Sequence, residues 1–242
     1  MNRAEYRKIR AALNRGETIT QTPEQAAAFL RFETLERVRA GVLAARREPQ
    51  PLTADALGRL LIRYGGNFGI WALFTEIVRN CRVTPDAFAS GLADAYTMGH
   101  ADRETALLLF QWANRRDIMN ADDLAVFDAL PLRLTVYRGC SVEEHRAGVF
   151  GLSWTLNRAI AEFFAWRFDA ADRGRVVVCT QITRPDVLAY FNTRREQELI
   201  CNVEAGPSQP VELIAREPSA LYWDYMNRNR AADATAANTP AE

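Results

Sequence analysis

The sequence is poor in the residues that bind metal ions or form disulfide bonds. It contains two histidines and four cysteines, and the cysteines, at positions 81, 140, 179 and 201, include no Cys-x-x-Cys pair. A zinc site needs several such ligands at short spacing. Disulfide frameworks are typical of short secreted chains rather than of a chain of 242 residues. We therefore predict no metal site and reduced cysteines, as in a cytoplasmic protein.

Long apolar runs and an excess of charge of one sign are also absent. No apolar run approaches the ~20 residues of a membrane-spanning helix, and the N-terminal segment MNRAEYRKIRAAL lacks the apolar stretch of a secretory signal peptide. Basic and acidic residues number 30 each, which gives a nucleic-acid acceptor or a membrane partner little support. Lys8 is the only lysine, so arginine supplies nearly all of the positive charge.

The first half of the sequence has the pattern of a helical region. Thr22 and Thr84 are each followed by a proline, which is typical of a capping residue before the first helical position. Helical spacing of apolar residues also fits 53–63, 67–80, 103–116 and 121–129. We predict a helical region over residues 1–130.

The pattern changes near Pro131 to that of a β-rich unit. The segments LRLTVYRG, RVVVCTQI, VLAYF, EQELICN and VELIAR are predicted strands. Asn157 is a candidate cap for the helix RAIAEFFAWRF, whose apolar stripe includes Phe168. These patterns predict an α+β protein with a compact unit at 131–227 and a flexible tail at 228–242.

Two carboxylates stand close together at the start of one predicted strand. Residues at i and i+2 of a strand share a face, so Glu196 and Glu198 are predicted to point the same way. Their mutual repulsion grows with burial. The pair therefore either faces water on an edge strand or belongs to a functional site.

Three short motifs follow one another in the second half: Tyr-Arg-Gly at 137–139, Ser-Trp-Thr at 153–155 before an aromatic helix, and Glu-Gln-Glu at 196–198. Their order resembles the R-S-E class of the ADP-ribosyltransferase superfamily, which has an arginine on an early strand, a Ser-x-Ser motif that leads into a helix, and a Glu-x-Glu or Gln-x-Glu motif at the start of a later strand. Thr155 replaces the second serine but keeps a hydroxyl, and the middle residue is the bulky Trp154. The resemblance covers about residues 132–216. It implies a helical N-terminal half packed on a compact mixed β-sheet, a split β-sandwich.

The resemblance implies that NAD is a co-substrate and is cleaved between nicotinamide and ribose. Such a cleavage passes through a positively charged, oxocarbenium-like ribose, which a fixed negative charge stabilises. By resemblance, Glu198 supplies that charge and Ser153 holds Glu198 in position. Glu196 would orient an acceptor arginine and accept its proton, because a guanidinium is a poor nucleophile without such help.

The resemblance also assigns residues to cofactor and substrate binding. A guanidinium binds pyrophosphate through a bidentate fork; the implied NAD-binding residues are Arg138, Tyr137, Gly139 and Thr155. The implied substrate loop contains Tyr190, Phe191, Asn192 and Arg194. Core packing is an equally good interpretation of the two aromatic residues of this loop, and Trp154 is predicted to face the core.

The implied function is mono-ADP-ribosylation of an arginine on a protein, with no metal, in a toxin, an effector or a phage enzyme. One alternative is an NAD glycohydrolase, which passes the ribosyl group to water. Another is a non-catalytic interaction protein of a phage or mobile element, but the presence of Arg138, Ser153 and Glu198 together favours an enzyme. The hypothesis requires Ser153 on a strand next to Glu198, and Arg138 in the same cleft.

Overall fold

The computed structural model describes residues 1–167, 174–192, 194–206 and 209–237. The chain divides into two compact units, Met1–Leu109 and Phe110–Glu242. Within the described part of the chain, no helix is both long and apolar enough to cross a membrane. The second unit begins at Phe110, so helices between this residue and residue 131 belong to it.

The first unit is helical. Thr22 and Thr84 cap their helices, and the Thr22 hydroxyl accepts a hydrogen bond from the backbone nitrogen of Gln25 at 3.2 Å, so both predicted helix starts are confirmed. The interior is formed by large apolar side chains such as Leu73 and Phe74, which are fully buried. The elements are α1 (Arg3–Asn14), α2 (Pro23–Ala45), α3 (Ala54–Leu60), a π-helical segment (Leu61–Gly65), α4 (Gly66–Asn80), α5 (Pro85–Met98) and α6 (Arg103–Trp112), which ends in the second unit.

The second unit contains the strands expected from alternating sequence patterns. Its elements are α7 (Arg115–Ile118), α8 (Ala121–Ala129), β1 (Arg133–Ser141), α9 (Val142–Ala147), β2 (Ser153–Thr155), α10 (Arg158–Trp166), β3 (Arg175–Thr183), a 3-10 turn (Arg184–Asp186), β4 (Val187–Phe191), β5 (Glu198–Cys201), β6 (Glu212–Ala215) and α11 (Ala220–Ala237). Asn157 caps α10, as predicted. Helix α11 continues into the segment predicted as a tail, whereas 238–242 and Phe168 lie outside the described residues.

The strands form one six-stranded sheet in the order β4-β5-β2-β1-β3-β6. Every pairing between these strands is antiparallel. This confirms the α+β class, but a single antiparallel sheet takes the place of the mixed, split arrangement that the resemblance implied. The sheet stays continuous because β2 pairs with both β1 and β5. The pairing between β1 and β2 is short and places Tyr137 opposite Thr155.

Helix α10 packs closely on β1, and Gly139 permits this approach. A Cβ atom at Gly139 would overlap the carbonyl oxygen of Ala161 and lie 2.6 Å from the backbone nitrogen of Ala165. Ala161, Ala165 and Val177 form a small core on this face of the sheet. The opposite face carries the main core, which includes Trp154 at 1% exposure. The missing side chain at position 139 therefore fixes how near α10 lies to the sheet.

We predict that Gly139→Ala destabilises the second unit by about 1–3 kcal/mol, because the added methyl group has no room beneath α10. Urea unfolding measures the difference. Gly206→Ala is the matched control, since a Cβ there has nothing within 4 Å. Equal stability of the two variants would contradict the close packing of α10 on β1.

Candidate functional site

Glu196 and Glu198 share a cavity, although they do not share a strand. Strand β5 begins at Glu198, so the prediction that both glutamates lie on one strand face is wrong. Arg195 and Gln197 have φ angles of 58° and 47°, in the left-handed region that non-glycine residues rarely adopt. The chain therefore turns before β5, and this turn brings the two carboxylates together.

The cavity has a volume of about 190 Å³ and lies in the second unit. Every residue predicted to be catalytic or NAD-binding lines it. The lining residues are Tyr137, Arg138, Gly139, Ser153, Trp154, Thr155, Ala161, Phe164, Glu196 and Glu198. A larger cavity of about 900 Å³ is lined in part by Arg133 and Thr135 of β1. Because residues two apart on a strand share a face, both cavities lie along one face of β1.

Ser153 and Glu198 make direct contact across β2 and β5. In the register of these strands Thr155 lies opposite Glu198, and Ser153 opposite Ile200. The Ser153 hydroxyl donates a hydrogen bond of 2.5 Å to Oε1 of Glu198. The serine thus orients one oxygen of the Glu198 carboxylate.

Arg138 joins β1 to β2 where their pairing is narrow. Its Nη1 donates to the carbonyl oxygen of Ser153 at 2.5 Å, and its Nε donates to Oε1 of Glu144 at 2.8 Å. The same carboxylate oxygen accepts the backbone N–H of Gly151 at 2.8 Å. The guanidinium therefore holds the strand that carries Ser153, in addition to lining the cavity.

Glu144 is a site residue that the sequence analysis missed. Ser141 caps α9 by accepting a hydrogen bond from the backbone nitrogen of Glu144. A serine followed three residues later by glutamate is a recognisable helix start, and this signal could have placed Glu144 within reach of Arg138.

Thr155 holds the turn that carries Glu196. Its hydroxyl donates to the carbonyl oxygen of Glu196 at 2.7 Å and accepts from the backbone nitrogen of Asn157 at 3.1 Å. The structure thus gives Thr155 a positioning contact with the acidic turn and with the start of α10. This contact accounts for the retained hydroxyl in the Ser-Trp-Thr motif.

Tyr190 and Phe191 belong to the core rather than to an exposed substrate loop. Their exposures are 2% and 8%, and they pair in β4 with Leu199 and Glu198 of β5. The Phe191 ring lies 6.4 Å from that of Phe110. Their assignment to a substrate-contacting loop is therefore wrong, because both residues lie within strand β4 and their side chains are buried.

Asn192 closes the turn by a chain of hydrogen bonds. Its backbone nitrogen donates to Oδ1 of Asp123 at 3.0 Å, and its side-chain oxygen accepts from the backbone nitrogen of Gln197 at 3.2 Å. Asp123 lies on α8 and is buried, and burial raises the pKa of its carboxyl group. No local sequence signal identifies Asp123, because its hydrogen-bond partner is 69 residues away. These bonds hold Gln197 in its left-handed conformation.

The guanidinium of Arg194 lies against the carboxylates of both Glu196 and Glu198. Its Nη2 is 2.9 Å from Oε2 of Glu196 and 3.6 Å from Oε2 of Glu198. The arginine side chain is 52% exposed, whereas those of Glu196 and Glu198 are 17% and 10% exposed. Arg194 therefore reaches from the surface to the two carboxylates that line the cavity.

Arg167 is a further basic residue close to the acidic turn, and the sequence analysis did not identify it. Its guanidinium carbon is 4.5 Å from the centre of the Phe164 ring, which lines the cavity. Burial lowers the pKa of Arg167, the negative charge of Glu196 opposes this shift, and the positive charge of Arg194 adds to it. The site thus combines two carboxylates with several guanidinium groups.

The pKa of Glu198 lies above its ordinary value of 4.5. Burial is the main cause, and the nearby charge of Glu196 acts in the same direction. The hydrogen bond from Ser153 and the positive charges of Arg194 and Arg138 oppose the shift. A buried carboxylate with specific partners in a cavity is typical of functional sites.

Other potential metal ligands and nucleophiles occur among the described residues of the second unit. Among the residues that the structure describes, no group of three or more His, Cys, Asp or Glu side chains could hold a metal ion. Burial raises the pKa of Cys140 to about 12, so this thiol stays protonated at neutral pH.

Comparison of the chain with protein-family models, with curated proteins and with solved structures gives no match. The geometry of the site and its motifs are therefore the basis for assigning a function.

We predict that Glu198→Gln stabilises the fold more at high pH than at low pH. Because the folded state binds the Glu198 proton more tightly than the unfolded state, ionisation of Glu198 lowers the free energy of unfolding as pH rises through the raised pKa. The substitution removes this ionisation. Urea unfolding of both chains between about pH 4 and about pH 8 should therefore show a rising difference in favour of the variant.

Glu143→Gln is a control of opposite sign. Hydrogen bonds from the backbone of Glu143 and from Ser141 lower the pKa of this exposed carboxyl group. Its ionisation therefore stabilises the folded state, and this contribution is lost as pH falls below the ordinary value of 4.5. A pH-independent difference for Glu198→Gln would contradict the raised pKa.

Proposed function

We propose that the protein is an NAD-dependent mono-ADP-ribosyltransferase whose acceptor is an arginine side chain. The observation that carries the proposal is the hydrogen bond from Ser153 to Glu198 inside a cavity that Glu196 and Arg138 also line. These residues belong to the three motifs whose order resembles the R-S-E class. Contact among residues from distant motifs supports a common role.

Glu198 is the residue proposed to stabilise the ribosyl cation. Its carboxylate is nearly buried, and a buried charge acts on a developing positive charge more strongly than a hydrated one. Ser153 fixes the orientation of this carboxylate before the reaction, so little reorganisation is needed. Cleavage of the bond between nicotinamide and ribose would then proceed beside a preorganised negative charge.

Glu196 is the residue proposed to bind and deprotonate the acceptor. The ion pair with Arg194 supports this role, because it is a contact of the kind that an incoming arginine would make. Thr155 and Asn192 fix the turn around Glu196 through backbone hydrogen bonds. A carboxylate held on a braced turn can orient a guanidinium more effectively than one on a free loop.

The size of the cavity suits part of an NAD molecule. Sites for whole drug-sized ligands have volumes of about 300–1,000 Å³, so a cavity of about 190 Å³ suits the nicotinamide ribosyl group. The rest of the dinucleotide requires space outside it. The larger cavity along the same face of β1, lined by Arg133 and Thr135, is consistent with this requirement.

An NAD glycohydrolase is the second candidate. One observation favours it: Arg194 forms an ion pair with Glu196. This ion pair places a side chain of the protein itself where an external acceptor would bind. Water is smaller than a guanidinium and could reach the ribosyl group beside Arg194. Separate measurement of transfer and hydrolysis distinguishes the two activities.

We predict different effects for the two glutamates. Glu198→Gln should lower both nicotinamide release and arginine modification by at least about 10²–10³-fold, because the charge that stabilises the transition state is lost. Glu196→Gln should remove transfer to arginine but leave NAD hydrolysis, because water needs less activation than a guanidinium. Nicotinamide release and adduct mass on free L-arginine amide measure the two activities.

Glu143→Gln, on the exposed face of α9, is the matched control for these substitutions and should keep both activities. Full activity of Glu198→Gln would overturn the proposed function. Equal loss of transfer and hydrolysis in Glu196→Gln would show that the two carboxylates act as one unit.

We predict that Arg138→Lys weakens NAD binding and also lowers the stability of the second unit by about 1–3 kcal/mol. Lysine keeps the charge but cannot donate to both Glu144 and the Ser153 carbonyl oxygen as the guanidinium does. Isothermal calorimetry measures binding, and urea unfolding measures stability. Unchanged NAD affinity in a destabilised variant would assign Arg138 a structural role alone.

A further inference from the structure

Arg194 occupies the position at which an acceptor arginine would bind. Its Nη2 lies 2.9 Å from Glu196 and 3.6 Å from Glu198, so one guanidinium nitrogen contacts both proposed catalytic carboxylates. Glu196 is held in place by Thr155, and the turn is closed by Asn192. The chain thus presents one of its own arginines to its own candidate site.

We propose that Arg194 is the acceptor of an intramolecular ADP-ribosyl transfer, so that the protein modifies itself at this residue. The inference rests on the proposed function and adds to it a specific modification site. It also implies that an external arginine competes with Arg194 for the acceptor position. Self-modification therefore limits the transfer to other acceptors.

Exposure and contacts distinguish Arg194 from Arg138, which lines the cavity. Arg138 is 19% exposed, and its Nε and Nη1 donate to Glu144 and to the Ser153 carbonyl oxygen. Arg194 is 52% exposed and lies on the turn before β5. Its product could therefore extend into solvent, whereas an adduct on Arg138 would disrupt the contact between β1 and β2.

The reaction is balanced without a further reactant. The bond between the nicotinamide nitrogen and ribose C1′ breaks, and its electron pair leaves with nicotinamide. A bond forms between C1′ and Nη2 of Arg194. The guanidinium loses one proton to Glu196, whose carboxylate is the nearest base, and Glu196 releases it to solvent. The ADP-ribosyl group attached to Nη2 is bulky, so it displaces the guanidinium from its position between the two carboxylates.

Peptide mapping by mass spectrometry after incubation with NAD tests the proposal. We expect an ADP-ribose adduct on Arg194 in the wild-type chain and loss of that adduct in Arg194→Lys, which keeps a positive charge but has no guanidinium. Arg195→Lys is the matched control, because it alters the adjacent exposed arginine and leaves both ion pairs of Arg194 in place. Arg194→Lys should also modify free L-arginine amide faster than the wild-type chain does.

A mixing experiment tests whether the transfer is intramolecular. Wild-type chain is incubated with NAD and with an affinity-tagged Glu198→Gln chain, which keeps Arg194 but lacks the catalytic carboxylate. We expect the adduct on Arg194 of the wild-type chain alone, with a modified fraction that does not depend on protein concentration. An adduct on Arg194 of the tagged chain would overturn the intramolecular reaction.

Two further outcomes separate this inference from the proposed function. Release of nicotinamide and modification of L-arginine amide, without an adduct on Arg194, would overturn the inference alone. Absence of nicotinamide release, with no adduct on any arginine, would overturn both.

Discussion

The burial of the Glu198 carboxyl group is the constraint around which the second unit is organised. Its side chain is 10% exposed at the start of β5, and this burial is the main reason that its pKa is raised. A buried carboxylate is costly unless donors surround it. Ser153 supplies a hydrogen bond, while Arg194 and Arg138 supply positive charge. A carboxyl group held in this way is suited, when it is ionised, to stabilising a cation.

The cavity lies where the pairing between β1 and β2 is short. One register pair, Tyr137↔Thr155, joins these strands, and the Arg138 side chain connects them beside it by bonding to the Ser153 carbonyl oxygen. Gly139 allows α10 to lie directly on β1 and to close the cavity with Ala161 and Phe164. Elements that look structural in isolation thus determine the shape of the site.

The acidic turn shows how the unit combines rigidity with reactivity. Left-handed residues at 195 and 197 are held by hydrogen bonds of Asn192, which is itself bound to Asp123 of α8. Backbone strain of this kind persists only where surrounding contacts enforce it, and it is frequent at functional sites. The same turn presents Arg194 to the two glutamates, so the proposed acceptor site and its internal occupant come from one short segment.

Local patterns predicted much of the fold. Thr22 and Thr84 began their helices where capping chemistry places them, and the alternating apolar segments after Pro131 became strands. These features depend on neighbours within a few residues, so the sequence contains their full signal. The order of the three motifs also predicted which residues belong to one site. All of the proposed catalytic and NAD-binding residues line one cavity.

What the sequence by itself determined was the location of helices, strands and candidate motifs; contacts between distant residues were decided by the tertiary structure. Tertiary packing buried Tyr190 and Phe191, which the sequence left equally suited to a loop or a core. The turn before β5, rather than strand alternation, brought Glu196 to Glu198. Glu144, Asp123 and Arg167 joined the site or its supports through packing between elements. The physical reason is that periodicity reports which face of an element is buried, whereas a hydrogen bond such as that between Ser153 and Glu198, 45 residues apart, depends on which strands pair and in what register.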